Sequence, residues 1–239
     1  MGTRGTLEVP GIGEVGTWLA RPDATPRCGL VVVQEIFGVN AHVRAVTDRY
    51  ARDGLLALAP ALFDPVERDA QLAYDEAGFE GGRALATALG FERAVAIVAA
   101  AAARLRALLA EASPDSPGSV AVVGFCWGGS VAWLANTRLG LPAVSYYGAR
   151  TVPFLDEPMR APMLFHFGSR DHSIPPADVE AHRRAQPAAE LHVYDAGHGF
   201  NRDVDPLHHD PASARLAHAR TLDFLQRACG AMAGTAASP

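Results

Sequence analysis

The stretch SVAVVGFCWGG, residues 119–129, decides how this chain folds. Its first half is a β-branched, wholly apolar run, the pattern of a strand buried on both faces of a parallel sheet. Glycines then stand two before and two after Cys126. Such glycines relieve crowding where a strand turns abruptly into a helix and lifts one side chain clear of the turn. Outward from this point, LVVVQ (30–34) is a second continuous run, and LLALA (55–59), PAVSYYG (142–148), PMLFHFG (162–168) and ELHVYDA (190–196) read as further strands. Helical spacing fills 41–53, 68–89, 91–111, 128–138, 177–185 and 211–229, with breaks at Gly78–Gly82 and Gly90. TLEV (6–9) and VGTWLA (15–20) alternate as the arms of a hairpin turning at Gly11–Gly13. Strands alternating with helices specify a mostly parallel central sheet with helices on both faces, and put function at the strands' C-terminal ends. The pattern predicts one domain over 1–239, with residues from about 230 onward as a disordered tail.

Composition narrows the chemistry. All 21 basic residues are arginine, so Schiff-base chemistry and a phosphate-binding P-loop lysine are excluded. A net charge of −5 gives no electrostatic reason to expect nucleic acid or an anionic membrane as partner. The N-terminal residues lack the apolar core of a signal peptide, and the apolar run 94–103 is half a bilayer span. Three cysteines are an odd, sparse set that predicts no disulfide framework and a cytoplasmic setting. Cys28 and Cys229 read as small buried hydrophobes.

Cys126 differs from them by its glycine context and by its place at a helix N-terminus, where the dipole favours a thiolate. It takes the position of the nucleophile in an α/β-hydrolase fold, whose triad follows the chain order nucleophile, acid, base. Asp171 comes just after the 162–168 strand, and His198 just after the 190–196 strand, flanked by glycines. His198 is then the proton shuttle and Asp171 its orienting acid. The backbone N–H groups of Trp127 and Ile36 supply the oxyanion hole. Glu35 ends a buried strand, costly for a carboxylate without a partner. It reads either as a capped or salt-bridged residue or, facing Cys126, as a charge that opposes the thiolate. Among the other histidines, His166 and His192 read as core residues, whereas His42, His172, His182 and His218 read as loop or helix surface. Asp203, Asp205, His208, His209 and Asp210 cluster without a metal-ligand spacing, so no metal is expected.

QEIFGVN (34–40), GFCWGG (124–129), SYYG (145–148), Asp171–His172 and GHGFNR (197–202) together resemble the dienelactone hydrolase family, the carboxymethylenebutenolidases. The resemblance spans the chain from the hairpin to the last helix. It implies a Cys126–His198–Asp171 triad with no cofactor, and a Glu35 that accepts the thiol proton once substrate arrives. It also implies a small enol lactone substrate whose carboxylate is held by two arginines. Arg202 falls on one of these positions, and Ala70 on the other, leaving Arg68 or Arg83 as a replacement. Phe37, Tyr74, Tyr147 and Phe200 complete the implied pocket, although Ala77 stands where the family has an aromatic. A small ester or lactone, monomeric or weakly dimeric protein, and no nucleic-acid or membrane partner make up the full expectation. A broader carboxylesterase or thioesterase with the same triad is the alternative, and a catalytically silent ligand-binding relative is the third reading.

Overall fold

The structure is a computed structural model describing residues 1–113 and 118–235. Its strands are β1 (Thr3–Val9), β2 (Gly13–Ala20), β3 (Gly29–Val33), β4 (Leu56–Pro60), β5 (Val120–Phe125), β6 (Ala143–Tyr146), β7 (Met163–Gly168) and β8 (Glu190–Tyr194). The helices are α1 (Ala41–Arg52), α2 (Glu76–Ala112), α3 (Trp127–Leu139), α4 (Pro176–Ala185) and α5 (Pro211–Thr235). One sheet of order β1-β2-β4-β3-β5-β6-β7-β8 holds all eight strands. The first two form the expected hairpin, β2 pairs antiparallel with β4, and every later pairing is parallel. Each residue of β3, β4, β5, β6 and β7 is buried, as strands covered on both faces must be.

Crossovers between parallel strands are right-handed, so the direction of travel along the sheet decides the face each helix covers. From β3 the chain steps to β4 through α1, then reverses through α2 to reach β5. The reversal puts α1 and α2 on opposite faces. α2 packs against α3, while Tyr50 of α1 meets His218 of α5 with ring centroids 5.2 Å apart. β7 shows the alternation directly: Phe165 and Phe167 face His182 of α4, and His166 contacts Thr221 of α5. The order reverses at β3 and β5, which places the crevice of an open α/β sheet above the ends of these two strands.

Several expectations change. α2 begins at Glu76, capped by the Asp75 carboxylate on the Gly78 N–H (2.8 Å), and not near residue 68. Residues 61–75 are irregular; their apolar spacing serves a loop that crosses β3's end and forms a bridge between Gln71 and Gly38. Gly78–Gly82 stay helical, and only Gly90 (φ 74°) interrupts α2. That helix is long and apolar enough to cross a bilayer, yet it packs on β3, β4 and α3 through Leu89, Ile97, Val98 and Leu105. α5 continues to Thr235, so the first residues of the expected tail are helical, and 236–239 lie outside the described residues. His42 and His182, expected on the surface, are 3% and 1% exposed, while His192 is only half-buried on the edge strand β8.

The largest correction concerns the cysteines. Cys28 and Cys229 are joined by a disulfide across 201 residues, tying the start of β3 to α5. An odd count proved consistent with one bridge plus one free thiol at Cys126. A bridge closing a long loop restricts the unfolded chain and stabilises by about 2–4 kcal/mol. Cys229→Ser should therefore lower the thermal midpoint by roughly 5–15 °C, and dithiothreitol should bring the wild-type protein to the same value. Calorimetry in both states checks this; two unchanged midpoints would show that the bridge carries no stability.

Candidate active site

The turn at Cys126 is built by close approach. Cys126 has φ 54° and ψ −122°, a conformation that costs a non-glycine residue on the order of 1–3 kcal/mol. A Cβ on Gly124 would overlap the Gly128 carbonyl, and one on Gly128 would overlap the Gln34 carbonyl at the end of β3. The turn is held by the Cys126 N–H donating to Tyr146 O (3.0 Å) and the Gly129 N–H donating to Cys126 O (2.8 Å). The sulfur is thereby set at the N-terminus of α3, partly accessible, between β3 and β6.

His198 and Asp171 come together from the ends of β8 and β7. Their Nδ1 and Oδ2 atoms lie 2.8 Å apart, and the Ser173 N–H donates to the other carboxylate oxygen at 2.8 Å. The Asp171 side chain is fully buried, so its charge is directed at the ring. Burial opposes a charge on His198, but the Cys126 sulfur and the Asp171 carboxylate outweigh it and push its pKa up to about 10. Tyr147, itself at positive φ (40°), backs the ring edge-on with centroids 5.0 Å apart. Its buried hydroxyl has no hydrogen-bond partner among the described residues.

Glu35 has a partner. Arg202 holds it by two parallel bonds, Nη2 to Oε1 (3.0 Å) and Nε to Oε2 (3.1 Å), and both side chains are almost wholly buried. Burial disfavours the Glu35 charge, but the adjacent guanidinium outweighs it and lowers the pKa. Arg202 is also bonded to Asp205 through Nη1 (3.0 Å) and stacks on the rings of Tyr74 (4.6 Å) and Phe37 (5.4 Å). Gly199 (φ 75°) permits this, since a Cβ there would come within 2.9 Å of the guanidinium.

A cleft of about 750 Å³ opens over these groups, lined by Cys126, His198, Ile36, Phe37, Tyr74 and Arg202 among others. Trp127 and Ile36 both flank the sulfur in an adjoining space. Phe200 and Tyr147 do not line the cleft; their side chains pack inward on Tyr146 and on each other. Arg68 is remote, paired with Glu14 at 2.7 Å, whereas Arg83 reaches the adjoining space. The Asp203–Asp210 cluster is consumed by other contacts: Asp203 binds His42 and Arg49, Asp205 binds His208 and Arg202, and Asp210 caps α5.

A parallel sheet with a strained, glycine-relieved turn after β5 and an Asp–His pair after β7 and β8 defines an α/β-hydrolase. The chain belongs to the dienelactone hydrolase family, whose profile matches residues 15–229, and it is a hydrolase of carboxylic ester bonds, lactones included. It is 34% identical to the carboxymethylenebutenolidase of Pseudomonas sp. strain P51, over 93% of this chain and 94% of that one. Carboxymethylenebutenolidase 1 of Cupriavidus pinatubonensis is 31% identical over 89% and 92% of the two chains. The crystal structure of a Klebsiella pneumoniae chain named for dienelactone hydrolase superposes with a TM-score of 0.79, at 28% identity, over 94% of this chain and 98% of that one.

The site's electrostatics make a pH prediction. Cys126 is the first support of the His198 charge and Asp171 the next. The imidazolium should therefore lose its proton well above the ordinary 6.5. Cys126→Ala should bring that midpoint down the most, and Asp171→Asn by less. Histidine NMR titration measures all three midpoints; a wild-type value near 6.5 would refute the coupling.

Proposed function

We propose that this enzyme hydrolyses a small lactone or ester through a thioester on Cys126, with His198 as proton shuttle and Asp171 as its orienting acid. The observation that carries this reading is the shared opening of the strained sulfur and the Asp171-bound imidazole onto one cleft. Cys126 passes its thiol proton to His198 and its sulfur attacks the carbonyl carbon, and the resulting oxyanion meets the Ile36 and Trp127 N–H groups. The carbon–oxygen bond then breaks, and the leaving alkoxide takes a proton from His198. Water, deprotonated by His198, adds to the thioester carbonyl; the acid leaves and the thiol is restored.

Glu35 accounts for substrate dependence. In the resting site its charge is compensated by Arg202. Removing Glu35 from a buried guanidinium with nothing in its place costs several kcal/mol, whereas exchanging it for another carboxylate is nearly balanced. A substrate carboxylate that takes Arg202 therefore frees Glu35 to accept the Cys126 proton and relay it to His198, leaving the charged sulfur beside the imidazolium. A broader esterase reading has its own support: Arg202 already serves two carboxylates, and Ala70 offers no second guanidinium. Neutral esters would then use His198 alone as base.

Cys126→Ala should lower kcat/KM by about a thousand-fold or more for every substrate. Glu35→Gln should depress a carboxylate-bearing enol lactone at least tenfold more than p-nitrophenyl acetate, on the order of the 1.5–3 kcal/mol carried by a charged hydrogen bond. Steady-state kinetics on the pair decides. Equal losses would favour the broader esterase, and an active Cys126→Ala enzyme would end the thioester mechanism.

A further inference from the structure

Cys126 and His198 also line a second lobe of about 570 Å³, which shares Ile36, Phe79 and Ser173 with the cleft but reaches α2 and the loop after β6. Its apolar side is Trp127 stacked on Phe91 at 5.8 Å, with Ala86 and Ala149 beside them. Gly90 lines it at the point where α2 departs from helical geometry.

The two lobes differ in charge. The first carries Asp75, Glu76, Asp205 and Asp210, and its arginines are spent: Arg202 on Glu35 and Asp205, Arg170 on Asp195. The second is lined by Arg83 and Arg150 and by no carboxylate. Among the described residues neither guanidinium has an acidic partner; Arg83 lies 5.7 Å over the exposed ring of Phe79. An anion entering the site thus meets carboxylates and already paired guanidinium groups on one side of the sulfur, and on the other two guanidinium groups with no acidic partner among the described residues. With flat apolar surface beneath, the second lobe suits an aromatic or unsaturated body ending in a negative group.

We infer that this lobe is a substrate subsite for an anionic group carried on a flat apolar body, with Arg83 and Arg150 as its specificity-determining residues. The inference rests on Cys126 as the nucleophile, because it defines which atoms the subsite positions. It places a negative group on the part of the ester or lactone that lies away from Arg202, beside any carboxylate that Arg202 itself takes. Arg83 and Arg150 act on binding and orientation, so their loss should raise KM for anionic substrates and leave neutral ones alone.

The test is the double variant Arg83→Gln/Arg150→Gln; both side chains are exposed at the rim, and the fold does not depend on them. Two ester pairs place the charge on either side of the scissile bond. One is 4-acetoxybenzoate against its methyl ester, the other mono-4-nitrophenyl glutarate against 4-nitrophenyl butyrate. In at least one pair the anionic-to-neutral ratio of kcat/KM should fall about tenfold, the scale of two exposed charge-assisted contacts. Calorimetry on Cys126→Ala, with and without the two arginine substitutions, reads benzoate against benzamide independently of catalysis. The benzoate preference should fall with the arginines. Ratios unchanged in both ester pairs, or a benzoate preference that survives, would overturn the subsite. A wild-type enzyme inert toward all four esters would instead speak against the nucleophile, and the benzoate arm would still decide the subsite.

Discussion

Everything in this site depends on how closely β5, β3 and β6 can approach one another around residue 126. The turn brings backbone within contact of backbone, the carbonyl of Gln34 against Gly128 and the carbonyl of Tyr146 against Gly129. Only residues without a Cβ fit there, and the cost of holding Cys126 at positive φ is met by packing of wholly buried strands on either side. The sulfur is consequently placed by the sheet and not by its own conformational preference. The same approach fixes the end of β3, and with it Glu35 and Ile36. Cys126, the Ile36 and Trp127 N–H groups and the Glu35–Arg202 pair are therefore parts of one arrangement.

The second organising element is electrostatic. Two buried carboxylates, Glu35 and Asp171, face the sulfur's surroundings with different partners. Asp171 is committed to a histidine and a backbone N–H, and supports positive charge on the ring. Glu35 is committed to a guanidinium that also lines the open cleft. One carboxylate is thus held by a partner away from the opening, while the partner of the other lines the cleft. The difference lies in access: the Asp171 side chain is sealed beneath His198, whereas Arg202 borders the space a ligand must enter.

The strands and the three polar residues at their ends were legible because each obeys a local rule. Buried parallel strands read as unbroken β-branched runs, and Asp171 and His198 each stand one loop beyond such a run. Residues 68–75 were misread because apolar spacing cannot distinguish a helix from a loop that buries Ala70 and half-buries Leu72 and Tyr74; the Asp75 cap was the available signal. Phe200 and Tyr147 belong to the stretches GHGFNR and SYYG, yet strand and loop geometry turn their rings into the core. The disulfide left no trace in the sequence. Nothing local marks Cys28 or Cys229, and counting cysteines by parity fails when one of three stays unpaired. The charge contrast between the lobes was equally hidden, since Arg83 and Arg150 lie on separate elements that only the fold brings to one rim.

The Cys28–Cys229 bond has a topological consequence. Between these residues the backbone is a closed ring that contains β3 through β8 and every residue of the site, with the hairpin and the chain's end as two tails hanging from the same point. A single proteolytic nick anywhere in the ring opens it without releasing a fragment. Tension applied at the two ends strips β2 from β4 and then passes through the sulfur–sulfur bond, so the strands from β3 to β8 are not pulled apart in series.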